Sequence, residues 1–104
     1  MKICSTENVA GEEIAEVLGM VRGNTIRARG VGHDIIAGIK NLIGGEISDY
    51  TKMMSDSRDE AVERMVSEAE NLGADGIVSV RFTTSSTMGS AAEILVYGTA
   101  VKFK

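Results

Sequence analysis

The residues best suited to chemistry in this chain are Cys4, His33 and six methionines, with Asp34 directly after the histidine. Thiolate, imidazole and thioether groups are donors for soft or divalent metal ions, so any cofactor is expected to be an ion of that kind. Each donor fills only part of a coordination shell, and metal sites recruit several thiolates or imidazoles at short spacings. The chain has one Cys, one His, no CxxC and no HxxxH. A convincing site built on Cys4 and His33 therefore needs donors repeated around a symmetry axis. The plainer reading makes Cys4 a small hydrophobe in an N-terminal strand and His33 a surface residue ahead of a helix.

A second chemistry is offered by Arg27-Ala28-Arg29-Gly30-Val31-Gly32-His33-Asp34. Amides exposed at a helix N-terminus beside arginines hold anions. The glycine pattern stops at Ile35, however, and Asp34 would occupy the cap and repel an anion. Incomplete glycine motifs are common false positives, which favours a glycine turn entering a capped helix. A hydrolase-type triad would have to use His33, and no nucleophile elbow surrounds any Ser. No catalytic or cofactor-binding residue is assigned. The hydroxyl tract Thr83 to Thr87 reads as a polar strand end. The carboxylates Asp49, Asp56, Asp59, Glu60, Glu63, Glu68 and Glu70 interleave with Lys52, Arg58 and Arg64, the pattern of a solvated helix face.

The elements that must position these residues fit one domain, residues 1–104, because a chain of this length has no room for a second core. Two Tyr, two Phe and no Trp leave Ile, Val, Leu, Met and Ala to build that core. A net charge of −4 disfavours nucleic acid and anionic membranes as partners. One Cys excludes an intramolecular disulfide, and no apolar stretch reaches the roughly 18 residues of a membrane span. A cytoplasmic location is expected.

Along the chain, Ile3 to Thr6 reads as a short edge strand, Glu7 to Gly11 as a turn, and Ile14 to Ala28 as a strand. Gly23-Asn24 within it fits a bulge better than a hairpin turn. Ile14, Glu16, Leu18, Met20 and Arg22 would share a mixed face, and Ala15, Val17, Gly19, Val21 and Gly23 a smooth one. Asp34 caps a short helix with Ile35, Ile36, Ile39, Leu42 and Ile43 at helical spacing, ended by Gly44-Gly45. A longer helix is expected from Ser48 to Leu72, with Tyr50, Met54, Ala61, Met65, Ala69 and Leu72 on one stripe and a possible restart at the Ser57–Glu60 capping box. Met53, Met54 and Met65 sit at helical spacing and read as core. Gly73 suits a left-handed cap. Strands Ile77 to Thr87 and Ala91 to Phe103 follow, joined through Met88-Gly89-Ser90.

The alternation in these last two strands predicts the assembly. Val78, Val80 and Phe82 are expected on one face of the first, and Leu95, Tyr97, Val101 and Phe103 on one face of the second. The opposite faces carry Ile77, Ile94, Val96, Gly98 and Ala100, which is not a polar surface. A one-sided antiparallel sheet alternates more sharply, so helices cover one face and a partner must cover the other. The expected fold is α+β, a small antiparallel sheet against one short and one long helix in the order β-α-α-β-β, working as a homo-oligomer.

Ala37-Gly38-Ile39, Ile43-Gly44-Gly45, Tyr50 opening a charged helix, Leu72-Gly73-Ala74-Asp75 and Gly98-Thr99-Ala100-Val101 together resemble the YbjQ-like family. That prokaryotic group carries a heavy-metal-binding label inferred from structure and no established reaction. The resemblance runs from about Thr6 to Phe103, and it implies an α+β subunit assembled as a homopentameric ring. The matching positions are packing and turning residues, and neither Cys4 nor His33 belongs to the motif. The expected function is a homo-oligomeric module binding a heavy metal or small ligand. The alternatives are a purely structural or partner-binding assembly and a small enzyme with an active site shared between subunits.

Overall fold

The alternating apolar residues near the C-terminus do form strands, and the long charged segment before them forms one continuous helix. The computed structural model of the chain describes residues 1–28, 45–87 and 91–104. Its elements are β1 (Lys2–Ile3), β2 (Ile14–Ala28), α1 (Gly45–Asn71), β3 (Gly76–Thr87) and β4 (Ala91–Phe103). The four strands make one sheet in the order β1-β3-β4-β2. β4 is antiparallel to both neighbours, whereas β1 is parallel to β3. The sheet is therefore mixed, not purely antiparallel as expected. The described residues run β-β-α-β-β and contain one helix; the expected short helix from Asp34 to Ile43 and the turn at Met88-Gly89-Ser90 lie outside them.

One stripe of α1 meets the sheet. Ser57, Ala61, Met65 and Ala69, four residues apart, are fully buried, as side chains stacked on one helical face should be. They pack with Val21, Ile77, Val80, Ile94, Val96 and Ala100 of the strands. Two members of the expected stripe differ in degree, Met54 being partly buried and Leu72 exposed. The helix continues through Ser57 without a restart. The Ser57 hydroxyl, out of reach of solvent, donates to the Met53 carbonyl one turn back at 2.9 Å, and the buried Thr25 hydroxyl donates to the Ser57 carbonyl at 3.2 Å.

Gly23 sets how closely helix and sheet approach. A Cβ there would stand 2.0 Å from the Ala61 carbonyl oxygen and 2.5 Å from the Met65 nitrogen. Gly23 itself pairs regularly with Val96, so neither a hairpin nor a bulge occurs at Gly23-Asn24. The bulges in β2 lie earlier, between Ile14 and Glu16 and between Val17 and Gly19. They break the two faces expected for its first half: Leu18 packs against the core, and Val17 is 63% exposed. A third irregularity falls in β3 between Val78 and Arg81, where Ser79 takes a left-handed φ of 54°. The extra residue turns Val78 to the face opposite Val80, so the expected Val78–Val80–Phe82 set is split.

The end of α1 follows the pattern of a glycine-terminated helix. Gly73 has φ +77°, its amide donates to the Glu70 carbonyl, and the Ala74 amide reaches back to Ala69. These two bonds form a Schellman motif. Asp75 then ties three segments: its amide donates to Val101, its carbonyl accepts from Lys2, and its carboxylate accepts the Phe103 amide at 3.0 Å. Gly98 is crowded too, though less than Gly23, with Ile77 Cγ2 at 2.7 Å from the site of a Cβ.

Two glycine substitutions separate crowding from backbone strain. Gly23→Ala is expected to destabilise the fold by about 3 kcal/mol, the upper end of overpacking costs. Gly73→Ala, whose Cβ would meet only Lys102 Cε at 3.9 Å, is expected to cost roughly 1 kcal/mol from its left-handed φ. Urea denaturation of the two variants checks the order.

Candidate functional site

Cys4 follows β1 directly, and its position is set by the backbone. Its amide donates to the Ile77 carbonyl at 3.0 Å and its carbonyl accepts from Val80 at 3.1 Å. Thr6 continues the contact by accepting the Ser79 amide, so the N-terminal segment is laid along the irregular part of β3. Arg81 secures it further by donating to the Ser5 carbonyl at 2.7 Å. The sequence reading of an edge strand over Ile3–Thr6 is thus right in place, although the regular pairing covers only Lys2 and Ile3.

The Cys4 thiol is half-buried, and its polar neighbour is Thr6, whose hydroxyl lies 3.4 Å from Sγ. No group of three or more His, Cys, Asp or Glu side chains converges to hold a metal ion among the described residues. A single copy thus brings no such three-donor set to Cys4 within those residues, and the donor set described does not fit a metal by itself. His33 and the anion-type segment Arg29–Asp34 lie outside the described residues. Thr83, Thr84 and Ser85 are exposed at the end of β3.

The feature that does stand out is the sheet face turned away from α1. Cross-strand partners share a face, so the pairs Met20–Thr99, Arg22–Tyr97, Asn24–Leu95 and Ile26–Glu93 lie opposite the helix-facing Val21, Gly23 and Thr25. On this open face Met20 is 67% and Ile26 60% exposed, beside Val17 and Tyr97. The sequence reading expected a spare face opposite the Val80 and Val101 sets, but the residues it placed there, Ile77, Ile94, Val96 and Ala100, are the ones that pack under α1, and it missed that β2 supplies the most exposed members of the open face. The signal was present in Met20 and Ile26 alternating with Val21 and Thr25, and the misplaced bulge hid it.

Residues 1–104 match the YbjQ_1 family model, whose description reads "Putative heavy-metal-binding". The chain belongs to the YbjQ_1 family. It is 59% identical over 104 residues to a UPF0145 protein of Halorubrum lacusprofundi, covering all of both chains. It is also 59% identical over 102 residues to a UPF0145 protein of Archaeoglobus fulgidus, covering 98% of this chain and 94% of the other. A crystal structure of a DUF74-family protein of unknown function from Pediococcus pentosaceus superposes with a TM-score of 0.66 at 20% identity, covering 100% of this chain and 98% of that one. That likeness shows the shared α+β fold. In YbjQ_1 terms, the glycine-rich positions quoted from the sequence that fall within the described residues are architectural: Gly73 caps α1 and Gly98 admits Ile77 and Val80. Gly38 and Gly44 lie outside the described residues.

Because backbone bonds place Cys4, Cys4→Ser is expected to leave the helical circular-dichroism signal intact and to shift stability by less than about 1 kcal/mol. Urea titration followed at the helical band checks this.

Proposed function

We propose that this chain is a homo-oligomeric binding module, a ring of five copies as the family resemblance implies, that takes a heavy-metal ion or small ligand where copies meet. The observation that supports it best is the open sheet face with Val17, Met20 and Ile26 each more than half exposed. Several large apolar side chains exposed on one sheet face point to an interaction site. Shape agrees with the reading. The radius of gyration is 17.0 Å with extents of 55 × 25 × 18 Å, against about 13 Å for a self-contained domain of this length.

The family description supplies the ligand class, and the donors of one copy supply the reason for placing it between copies. Cys4 carries one thiol, and metal sites need several donors; symmetry multiplies Cys4 and His33 by the number of copies. A second reading is an assembly with no metal site, and the placement of Cys4 Sγ against the Thr6 hydroxyl favours it. Catalysis has no comparable support among the described side chains, and no residue is assigned to it. No helix among the described residues is long and apolar enough to cross a membrane.

At micromolar concentration the protein is expected to sediment as a species larger than a dimer, and Met20→Glu/Ile26→Glu as a monomer. Native mass spectrometry with zinc, copper and nickel salts is expected to show stoichiometric uptake by the oligomer and none by that variant. A monomeric wild type overturns the oligomer. An oligomer that takes up no metal leaves the structural assembly as the function.

A further inference from the structure

Two exposed arginines of the sheet, Arg22 and Arg81, have no carboxylate partner among the described residues. The chain is not short of such partners, with fifteen acidic residues against eleven basic ones. Lys2, Arg64 and Lys104 each take a glutamate, respectively Glu12, Glu60 and Glu13.

The sheet sets the two arginines on one row. Arg22 of β2 pairs with Tyr97 of β4, and Tyr97 with Arg81 of β3. Cross-strand partners share a face, so all three lie on the open face. The arginines flank the tyrosine, two strands or roughly 9–10 Å apart at ordinary strand spacing. The irregularity at Ser79 is what brings Arg81 there: Val78 and Arg81, three positions apart, face Thr99 and Tyr97, which are two apart. Without the extra residue Arg81 would fall on the helix side. The neighbouring rows, Met20–Thr99–Val78 and Asn24–Leu95–Thr83, are uncharged, and Glu93 stands one row beyond. Glu93 is four residues from Tyr97 along β4, roughly 13–14 Å at the usual rise, and its Oε2 already accepts from the Asn24 amide at 3.2 Å.

Arg81 is held in place without being neutralised. Its Nη1 donates to the Ser5 carbonyl at 2.7 Å and to the Val80 carbonyl at 2.9 Å. Both acceptors are uncharged, and the remaining N–H groups of the guanidinium have no partner among the described residues. Such a fork, fixed at one nitrogen and open along its other edge, is a preorganised donor to an oxyanion. Arg22 has no hydrogen-bond partner among the described residues and is free to close from the opposite side, and the exposed Tyr97 offers a phenol hydroxyl between them. A planar carboxylate is satisfied by one guanidinium fork. A tetrahedral oxyanion directs oxygens to two arginines and a hydroxyl at once, and the same row repels a bare metal cation.

We propose that the Arg22–Tyr97–Arg81 row binds a tetrahedral oxyanion, either phosphate or a metal oxyanion such as molybdate. This rests on the ligand-binding reading above and names the form of the ligand: a heavy metal taken here is bound as its oxyanion. The test is calorimetric titration of the wild type with inorganic phosphate and, separately, with sodium molybdate. Saturable uptake of at least one is expected, and which of the two binds distinguishes the sources. Arg22→Gln and Arg81→Gln are each expected to weaken that uptake by about tenfold or more, because each removes a charge-assisted bond. Arg81 also holds Ser5, so should Arg81→Gln lose its helical signal, Arg81→Lys, which keeps the charge and loses the fork, takes its place with the same expected direction. Uptake of neither anion, or uptake that either arginine variant leaves unchanged, overturns the site. Sedimentation of the wild type separates this from the assembly. A monomer that binds the anion through both arginines supports the site and overturns the oligomer, and an oligomer that binds neither anion does the reverse.

Discussion

The close approach of Gly23 to the backbone of α1 at Ala61 and Met65 governs much of the structure. A helix normally stands off a sheet by the length of its side chains, and here one missing Cβ lets the two backbones touch. Contact at that distance restricts what the helix can place toward the sheet, which explains a stripe as narrow as Ser57, Ala61, Met65 and Ala69. It also draws α1 to one side, over β2. Phe82 and the far strand are left uncovered as a geometric result of where the glycine sits.

The sequence made the periodic features legible. The long helix came within three residues at its start and one at its end, because a stripe of apolar residues against a charged face is a local property. Gly73 was readable for the same reason. What escaped depends on distant partners. The bulges near Ala15, Leu18 and Ser79 exist because one strand carries an extra residue relative to another, and alternation within a single strand cannot reveal that. The parallel pairing of Lys2 with Gly76 and the triple role of Asp75 also join segments far apart in sequence. The candidate site was legible only in that the sheet is apolar on both faces: which face α1 covers was not, since Ile77, Ile94, Val96 and Ala100 lie under the helix, and a lone Cys4 gives no spacing from which to argue a ligand set.

Family membership and physical reading support different parts of the picture. Identities of 59% to two relatives across at least 98% of the chain place the chain in its family. A DUF74 protein at 20% identity keeps the same architecture, so the arrangement of α1 on the sheet tolerates wide change in side chains. A heavy-metal label on such a family directs attention to places where few residues per chain become many. In the proposed assembly, the boundaries between copies would be places of that kind.

The pairing of β2 with β4 has a consequence for how the chain comes into being. It joins Ile14 to Phe103 and Ala28 to Ala91, so the sheet cannot close until β4 has left the ribosome. Local elements form early and such long-range pairings late. During synthesis β2 must therefore wait as an unpaired strand carrying Val17, Met20 and Ile26 into solvent. Its Arg22 interrupts the apolar run that neighbouring nascent chains would otherwise extend, so a residue of the finished sheet also guards the unfinished one.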